Sequence, residues 1–210
     1  NFYKGANIVR NGLIGKVTRV EVGLPAGHHD FAGTKAFVTV SEPPARLDYD
    51  FWIGPAKMEP YIKGRVHMNW RWNYNIGGGQ LLDWIGHHCD IAHWGLGFDN
   101  SGPLEVEGKG EFPAADAVWN TCTKYRISAQ YPDDVTMIIA GGHGDIRGGT
   151  KWIGTEGWVW VDRGGFDASN PEWKDVRWKL PEAQCKVKLI ESRNHARNFV
   201  DSIKSRKPTI

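Results

Sequence analysis

With 210 residues, 40% of them hydrophobic and 24% charged, the chain has the length and mix of one globular domain with a full core. A net charge of +2 lacks the basic excess that phosphate backbones and anionic membranes attract, so neither nucleic acid nor a membrane is the expected partner. No apolar stretch approaches the roughly 20 residues of a membrane span. Three cysteines (Cys89, Cys122, Cys185) without C-x-x-C spacing argue against a zinc ribbon or a disulfide scaffold. The compartment stays open: cytoplasm by default, with export to the periplasm compatible.

Eleven tryptophans and 26 glycines stand out; the first suit cores, interfaces and sugar clefts, and the second imply many tight turns and a sheet-rich fold. The opening residues, with Ala6, Ile8 and Val9, read as the end of a helix capped at Asn11-Gly12. Asn1 opens the chain without Met, and Lys207-Pro208-Thr209-Ile210 follows just past another helix, so both ends are expected to be cuts through a longer protein. Lys16 to Leu24 places Val20, Val22 and Leu24 on one face of a strand. Residues 25–64 carry five prolines and little periodicity, with LDYDFWIGP as an ordered excursion packed on the domain.

Gly77-Gly78-Gly79 leads into a helix from Gln80 to Trp94, with Leu81, Leu82, Ile85, Cys89 and Ala92 available for its buried side. Beyond it the pattern alternates. Strands are expected near 104–111, 121–131 (Tyr125, Ile127, Ala129 and Tyr131 on one face), 135–140 and 151–162, the last a hairpin turning at Thr155-Glu156-Gly157. GGHGDIRGG at 141–149 reads as a loop between strands. VKLIE is a candidate short strand. Ser192 to Ser205 reads as an amphipathic helix with Phe199, Val200 and Ile203 inward. Helix, strand, helix and then consecutive strands predict an α+β fold, a large mostly antiparallel sheet with helices on one face.

The chemistry concentrates on the central helix. Asp83, His87, Asp90 and Trp94 stand at i, i+4, i+7 and i+11, one face of a helix. An Asp one turn before a His can fix the imidazole's tautomer, and that imidazole can exchange a proton with a hydroxyl near neutral pH. A plainer origin is a first-turn acid favoured by the helix dipole, in a structural Asp–His pair. A metal site built from Asp83, His87, His88, Asp90 and His93, completed by His143 or His67, competes; His88 and His93 point away from Asp83 and His87, which disfavours it. Cys89 reads as a buried helix residue, and Trp158 and Trp160 as part of a sheet face used for packing or subunit contact.

GGGQLLDWIGHHCDIAHWGLG resembles the signature helix of the Gfo/Idh/MocA oxidoreductases: a glycine pair, D-x-x-x-H, then a further Asp and an aromatic. ANIVRNGLIGKVTRVEVGLP is similar to that family's crossover into its second domain. LDYDFWIGPAKMEPY, WRWNYNIGGG, WIGTEGWVWVDR and NHARNFVDSIKSRKP are similar to segments of one bacterial branch, in the family's order. The resemblance implies that residues 1–210 form the C-terminal substrate-binding and oligomerisation domain, of the glyceraldehyde-3-phosphate dehydrogenase-like type. NAD or NADP would be bound by an N-terminal dinucleotide-binding domain outside this chain. It implies that Asp83 and His87 orient substrate and serve the proton transfer, that Asp90 is the helix's second acidic residue, and that Arg71 and Tyr74 contact substrate. His88 falls where members differ and receives no role. The family's Glu-Lys-Pro motif is absent, and GGHGDIRGG lacks the strand–turn–helix context of a dinucleotide fingerprint, so no cofactor-binding residue and no metal ligand is assigned here.

The expected activity is hydride transfer between a sugar, polyol or related carbinol and NAD(P), with the fragment inactive alone. An NAD-dependent glycosidase of the same family and a non-catalytic binding or scaffold module are the alternatives. A homo-oligomer is expected, with the sheet face bearing alternate residues of 125–131 and 158–161 buried against another subunit.

Overall fold

The structure is a computed structural model that describes residues 1–28 and 33–210. Among the described residues, seven strands form one sheet in the order β2-β3-β4-β1-β5-β6-β7. The strands are β1 (Val17–Leu24), β2 (Glu105–Glu111), β3 (Lys124–Tyr131), β4 (Val135–Gly141), β5 (Gly149–Gly154), β6 (Trp158–Val161) and β7 (Phe166–Ala168). All neighbours are antiparallel except β1 and β4, which run parallel with Val22 opposite Ile139. The α+β architecture expected from the sequence is therefore present.

Helices α1 (Phe2–Arg10) and α3 (Gly79–Leu96) lie side by side across one face of the sheet, over β1, β5 and β6. Period-two alternation makes this work: Val20, Val22, Met137, Trp152, Val159 and Val161 all turn to the helix side and are fully buried. That is the main core, and it stabilises the domain chiefly by removing large aliphatic and aromatic faces from water. Trp152 is its centre. Its indole N–H donates to the Ala92 carbonyl at 3.2 Å, and Gly95 passes so close above that ring that a Cβ there would sit 2.6 Å from Cε2.

The opposite face differs from expectation. Tyr125, Ile127, Ala129 and Tyr131 belong to the helix-covered core, not to the open face. The open face instead carries an Arg19–Glu21 pair at 3.0 Å and an Arg126–Asp145 pair at 2.8 Å, with only a small apolar cluster of Ile138, Ala140 and Ile146. Its tryptophans lie beneath cations: Lys151 is 4.6 Å from the Trp158 ring and Arg147 3.2 Å from that of Trp160.

Three local expectations need correction. Residues 187–191 form no strand; the Val187 amide donates to Asn11 Oδ1 instead of to a neighbouring strand. The last helix, α4 (His195–Ser205), starts at an Asn194 cap, and Phe199, Val200 and Ile203 are exposed, 60%, 41% and 49%, not turned inward. Leu82 is likewise 64% exposed, because it falls on the side of α3 away from the sheet.

The excursion before α3 is ordered, with α2 (Tyr49–Ile53) inside it; that part of the reading which falls on residues 29–32 lies outside the described residues. Arg65 organises it: 4% exposed, it pairs with Glu59 and donates to the Pro60 carbonyl at 2.6 Å and the Tyr49 hydroxyl at 2.8 Å. A cation so buried is tolerable because these acceptors replace its water. Among the described residues, no helix is long and apolar enough to cross a membrane.

Candidate active site on the central helix

α3 presents its sheet-facing side through Cys89, Ala92 and Gly95, which are buried. The 3.6-residue period then sends Asp83, His87 and Asp90 to the opposite, exposed side. Asp83 lies beyond the helix's first turn, so the dipole that favours acids at N-termini contributes little there.

Among the described residues, no hydrogen bond joins Asp83 to His87. Asp83 Oδ1 accepts from Arg71 Nε at 3.1 Å instead. Arg71 in turn donates to the Met68 carbonyl at 3.0 Å and lies over the Trp70 ring, 5.1 Å from its centroid. With both members of the Arg71–Asp83 pair about one-third exposed, its value is in orientation more than stability.

The glycine run permits close packing at the start of α3. A Cβ at Gly77 would sit 2.5 Å from the Arg71 carbonyl oxygen and 2.8 Å from its Cα. Gly79, at φ +67°, presses equally close on Thr121. The glycines thus let the Arg71 segment and the 118–121 loop close on the start of α3. Asn120 completes that junction: its amide donates to the Trp72 carbonyl at 2.9 Å and its side chain accepts from the Tyr74 amide at 2.8 Å.

Tyr74 is 65% exposed, with its ring edge-on to Phe112 at 6.4 Å. Asp90 is exposed on α3. The neighbouring Cys89 thiol is pushed up to about 12, first by burial and then by the Asp90 charge, which makes it inert. Trp94 packs on Tyr3 of α1 at 6.0 Å and joins the helix pair.

Sequence reasoning missed a cluster around Trp84. His87 sits edge-on to this indole at 5.2 Å, His88 is tilted against it at 5.8 Å, and the Arg163 guanidinium lies 5.1 Å from its centre. His88 is only 3% exposed; its Nε2 faces Asp162 at 3.9 Å, and its buried Nδ1 has no hydrogen-bond partner among the described residues. Burial holds the His88 imidazole below the usual histidine range; Asp162 opposes this, while Arg163 and His87 reinforce it. The available signal was the Asp-Arg-Gly-Gly turn after β6, which no helical or strand periodicity connects to α3.

The metal arrangement does not form: among the described residues no group of three or more His, Cys, Asp or Glu side chains could hold an ion. His93 instead hydrogen-bonds the Tyr131 hydroxyl at 2.8 Å, on the sheet side. The loop at 142–148 joins β4 directly to β5, so this glycine segment connects two strands and does not open a helix.

The site thus lies on an open seven-stranded, mostly antiparallel sheet backed by two helices, with an Asp and a His on the outer face of one of them. The chain belongs to the Gfo/Idh/MocA oxidoreductases: the model of that family's C-terminal alpha/beta domain matches residues 4–209. Among curated proteins, no sequence matches this chain. Among solved structures, it is similar to aldose-aldose oxidoreductase from Caulobacter crescentus in complex with glycerol, at 14% identity and a TM-score of 0.54, over 100% of this chain and 52% of that one. It is also similar to an NAD-binding protein from Listeria innocua, at 15% identity and a TM-score of 0.52, over 100% of this chain and 51% of that one. An oxidoreductase from Agrobacterium radiobacter in complex with NAD+, L-tartaric acid and magnesium gives 12% identity and a TM-score of 0.50, over 99% and 53%. At these identities the likeness establishes the fold, and the chain spans about half the length of these relatives.

Proposed function

We propose that this chain is the substrate-binding and assembly half of an NAD(P)-dependent oxidoreductase acting on a sugar, polyol or related carbinol. On this reading the dinucleotide is held by a separate domain outside this chain. The observation that carries the reading is the exposed face of α3, where Asp83, clamped by Arg71, and His87 stand one turn apart.

His87 takes the proton from the substrate hydroxyl in oxidation and returns it in reduction. A solvent-facing imidazole beside an indole edge is free to do both. Asp83 and Arg71 act as one unit: the guanidinium holds the carboxylate in one rotamer, and the carboxylate's second oxygen receives a substrate hydroxyl. Asp90 and Tyr74 extend substrate contact at the edges of this face. The nicotinamide, when bound, supplies the hydride acceptor or donor. The open sheet face, with Trp158 and Trp160 under Lys151 and Arg147, is the surface through which we infer a homo-oligomer.

The test is turnover of the full-length enzyme with NAD+ or NADP+ against polyols, aldoses and their glycosides. His87→Ala lowers kcat by about 10²–10⁴ if general acid–base work has its usual value. Asp83→Asn costs less, because an amide still accepts from Arg71, and dinucleotide binding survives both changes. Unchanged turnover in His87→Ala removes that residue from the mechanism.

A further inference from the structure

Next to the Arg71–Asp83 pair, bordered by Trp70, lies a cleft that the proposed chemistry leaves unused. It has a volume of about 500 Å³ and is lined by Trp52, Ile53, Pro55, Ala56, Trp70, Asn75 and Ile76. That is within the size range of small-molecule sites.

Both indoles are braced from behind. Trp52 stacks on Tyr49, 5.7 Å between ring centres and 12° from parallel, and Tyr49 is itself fixed by Arg65 and by an edge contact with Tyr61 at 5.3 Å. Trp70 carries the Arg71 guanidinium on one side. One face of each ring is thus occupied, and the orientation of each wall is set before anything enters. Asn75 is fixed too: its Oδ1 accepts from the Lys57 amide at 3.1 Å and its Nδ2 donates to the Lys57 carbonyl at 2.7 Å. Each of those atoms keeps one hydrogen-bonding position unused.

Rigid indole faces joined by an anchored amide match one ligand chemistry better than others. A pyranose ring offers a flat C–H surface for the indoles and equatorial hydroxyls for the amide. An aliphatic ligand would leave the amide's free positions unpaired in the cleft, and a charged one would find no opposite charge in its walls. The cleft also has a defined relation to the α3 face. Arg71 lies over Trp70 with its guanidinium and donates to Asp83 from its Nε, so one side chain links a wall of the cleft to the α3 face.

We propose that this cleft is a second sugar subsite, so that the substrate is a glycoside or disaccharide: the ring to be oxidised sits at Asp83 and His87, and the neighbouring ring sits between Trp52 and Trp70. This rests on the functional reading above. It makes Arg71 a specificity residue as well as an orienting one, since it faces the junction between the two rings.

The experiment compares the full-length enzyme's KM and kcat for a free aldose with those for disaccharides carrying the same ring, in wild type, Trp52→Ala and Ala56→Phe. The first variant removes one wall; the second fills the cleft without touching either indole's support. Circular dichroism and melting temperature confirm folding of each. Wild type should favour the disaccharide, and either folded variant should raise its KM by about tenfold while leaving kcat and the free-aldose constants within twofold. Tryptophan fluorescence titration with the same disaccharides supplies a readout independent of turnover, with saturation lost in Ala56→Phe.

Free-aldose turnover with no preference for disaccharides, and variants without effect, overturn the subsite and leave the α3 reading standing. Saturable disaccharide binding without any turnover supports the subsite and counts against the α3 reading. A structure of the assembled protein with a protein segment seated in the cleft overturns the subsite outright.

Discussion

Two glycines of α3 make a paired experiment in which the same substitution should have opposite signs. Gly86 and Gly95 are both interior to the helix, so replacing either by Ala recovers about 1 kcal/mol of helix propensity. At Gly86 nothing lies within 4 Å of the new methyl, so that gain should be realised. At Gly95 the methyl would stand 2.6 Å from Trp152 Cε2 and 2.7 Å from Cζ2 and Nε1, roughly 1 Å inside normal carbon contact distance. Trp152 is completely buried between the helix and the sheet, with Val159 and Val161 in the same core, so it cannot swing aside cheaply. Overpacking of this kind costs about 1–3 kcal/mol, and moving the ring also strains the indole bond to Ala92, worth about 1 kcal/mol. After the propensity gain, Gly95→Ala should remain destabilised by about 1–3 kcal/mol. At about 2–4 °C per kcal/mol for a domain of this size, calorimetry should show Gly86→Ala melting about 2–4 °C above wild type and Gly95→Ala about 2–12 °C below. Equal upward shifts in both would refute the close seating of α3 on Trp152.

The cysteines should divide by environment: Cys185 is exposed, whereas Cys89 and Cys122 are buried, with burial pushing both thiols up. A thiol reagent at pH 8 should therefore titrate one cysteine in the native chain and three after denaturation; rapid native labelling of Cys89 would contradict the packing of α3. For His88, burial lowers the folded-state pKa below the ordinary histidine value, so below about pH 6.5 the unfolded chain binds the extra proton first. Stability should thus fall as pH drops through 6.5 and stop falling, on this group's account, below the lower folded value. His88→Gln should flatten the melting temperature between pH 7 and 5, and an unaltered slope would assign the acid sensitivity to other groups.

Strand periodicity and the glycine-led helix were readable because each is a local pattern with a buried side: Val20, Val22 and Leu24, or Cys89 and Ala92, announce their faces without reference to the rest of the chain. Which side of the sheet the helices cover is not local. Tyr125 and Tyr131 therefore read equally well as an interface and as a core, and only the placement of α1 and α3 decides. The same limit misplaced Phe199, Val200 and Ile203, whose amphipathic spacing is genuine although nothing among the described residues covers it. At the candidate site, Asp83 and His87 were legible from an i, i+4 interval. The clamp was not, because Arg71 reaches Asp83 across a glycine-permitted contact, and Arg163 reaches Trp84 from a turn after β6.

The parallel pairing of β1 with β4 constrains how the chain can be made. β1 is synthesised early yet lies between β4 and β5, strands from the second half of the sequence, which are joined to each other only by the 142–148 loop. Until β1 enters, β4 has an unpaired flank, and the β2-β3-β4 meander and the β5-β6-β7 meander are two separate sheets. Closure therefore waits for a segment about half the chain length away, and loop entropy has to be spent before either hydrogen-bonded ladder is gained. The slot left for β1 is also open to the β1 of another nascent chain. This makes strand exchange between copies the characteristic misassembly of this topology, and crowded synthesis the condition that favours it.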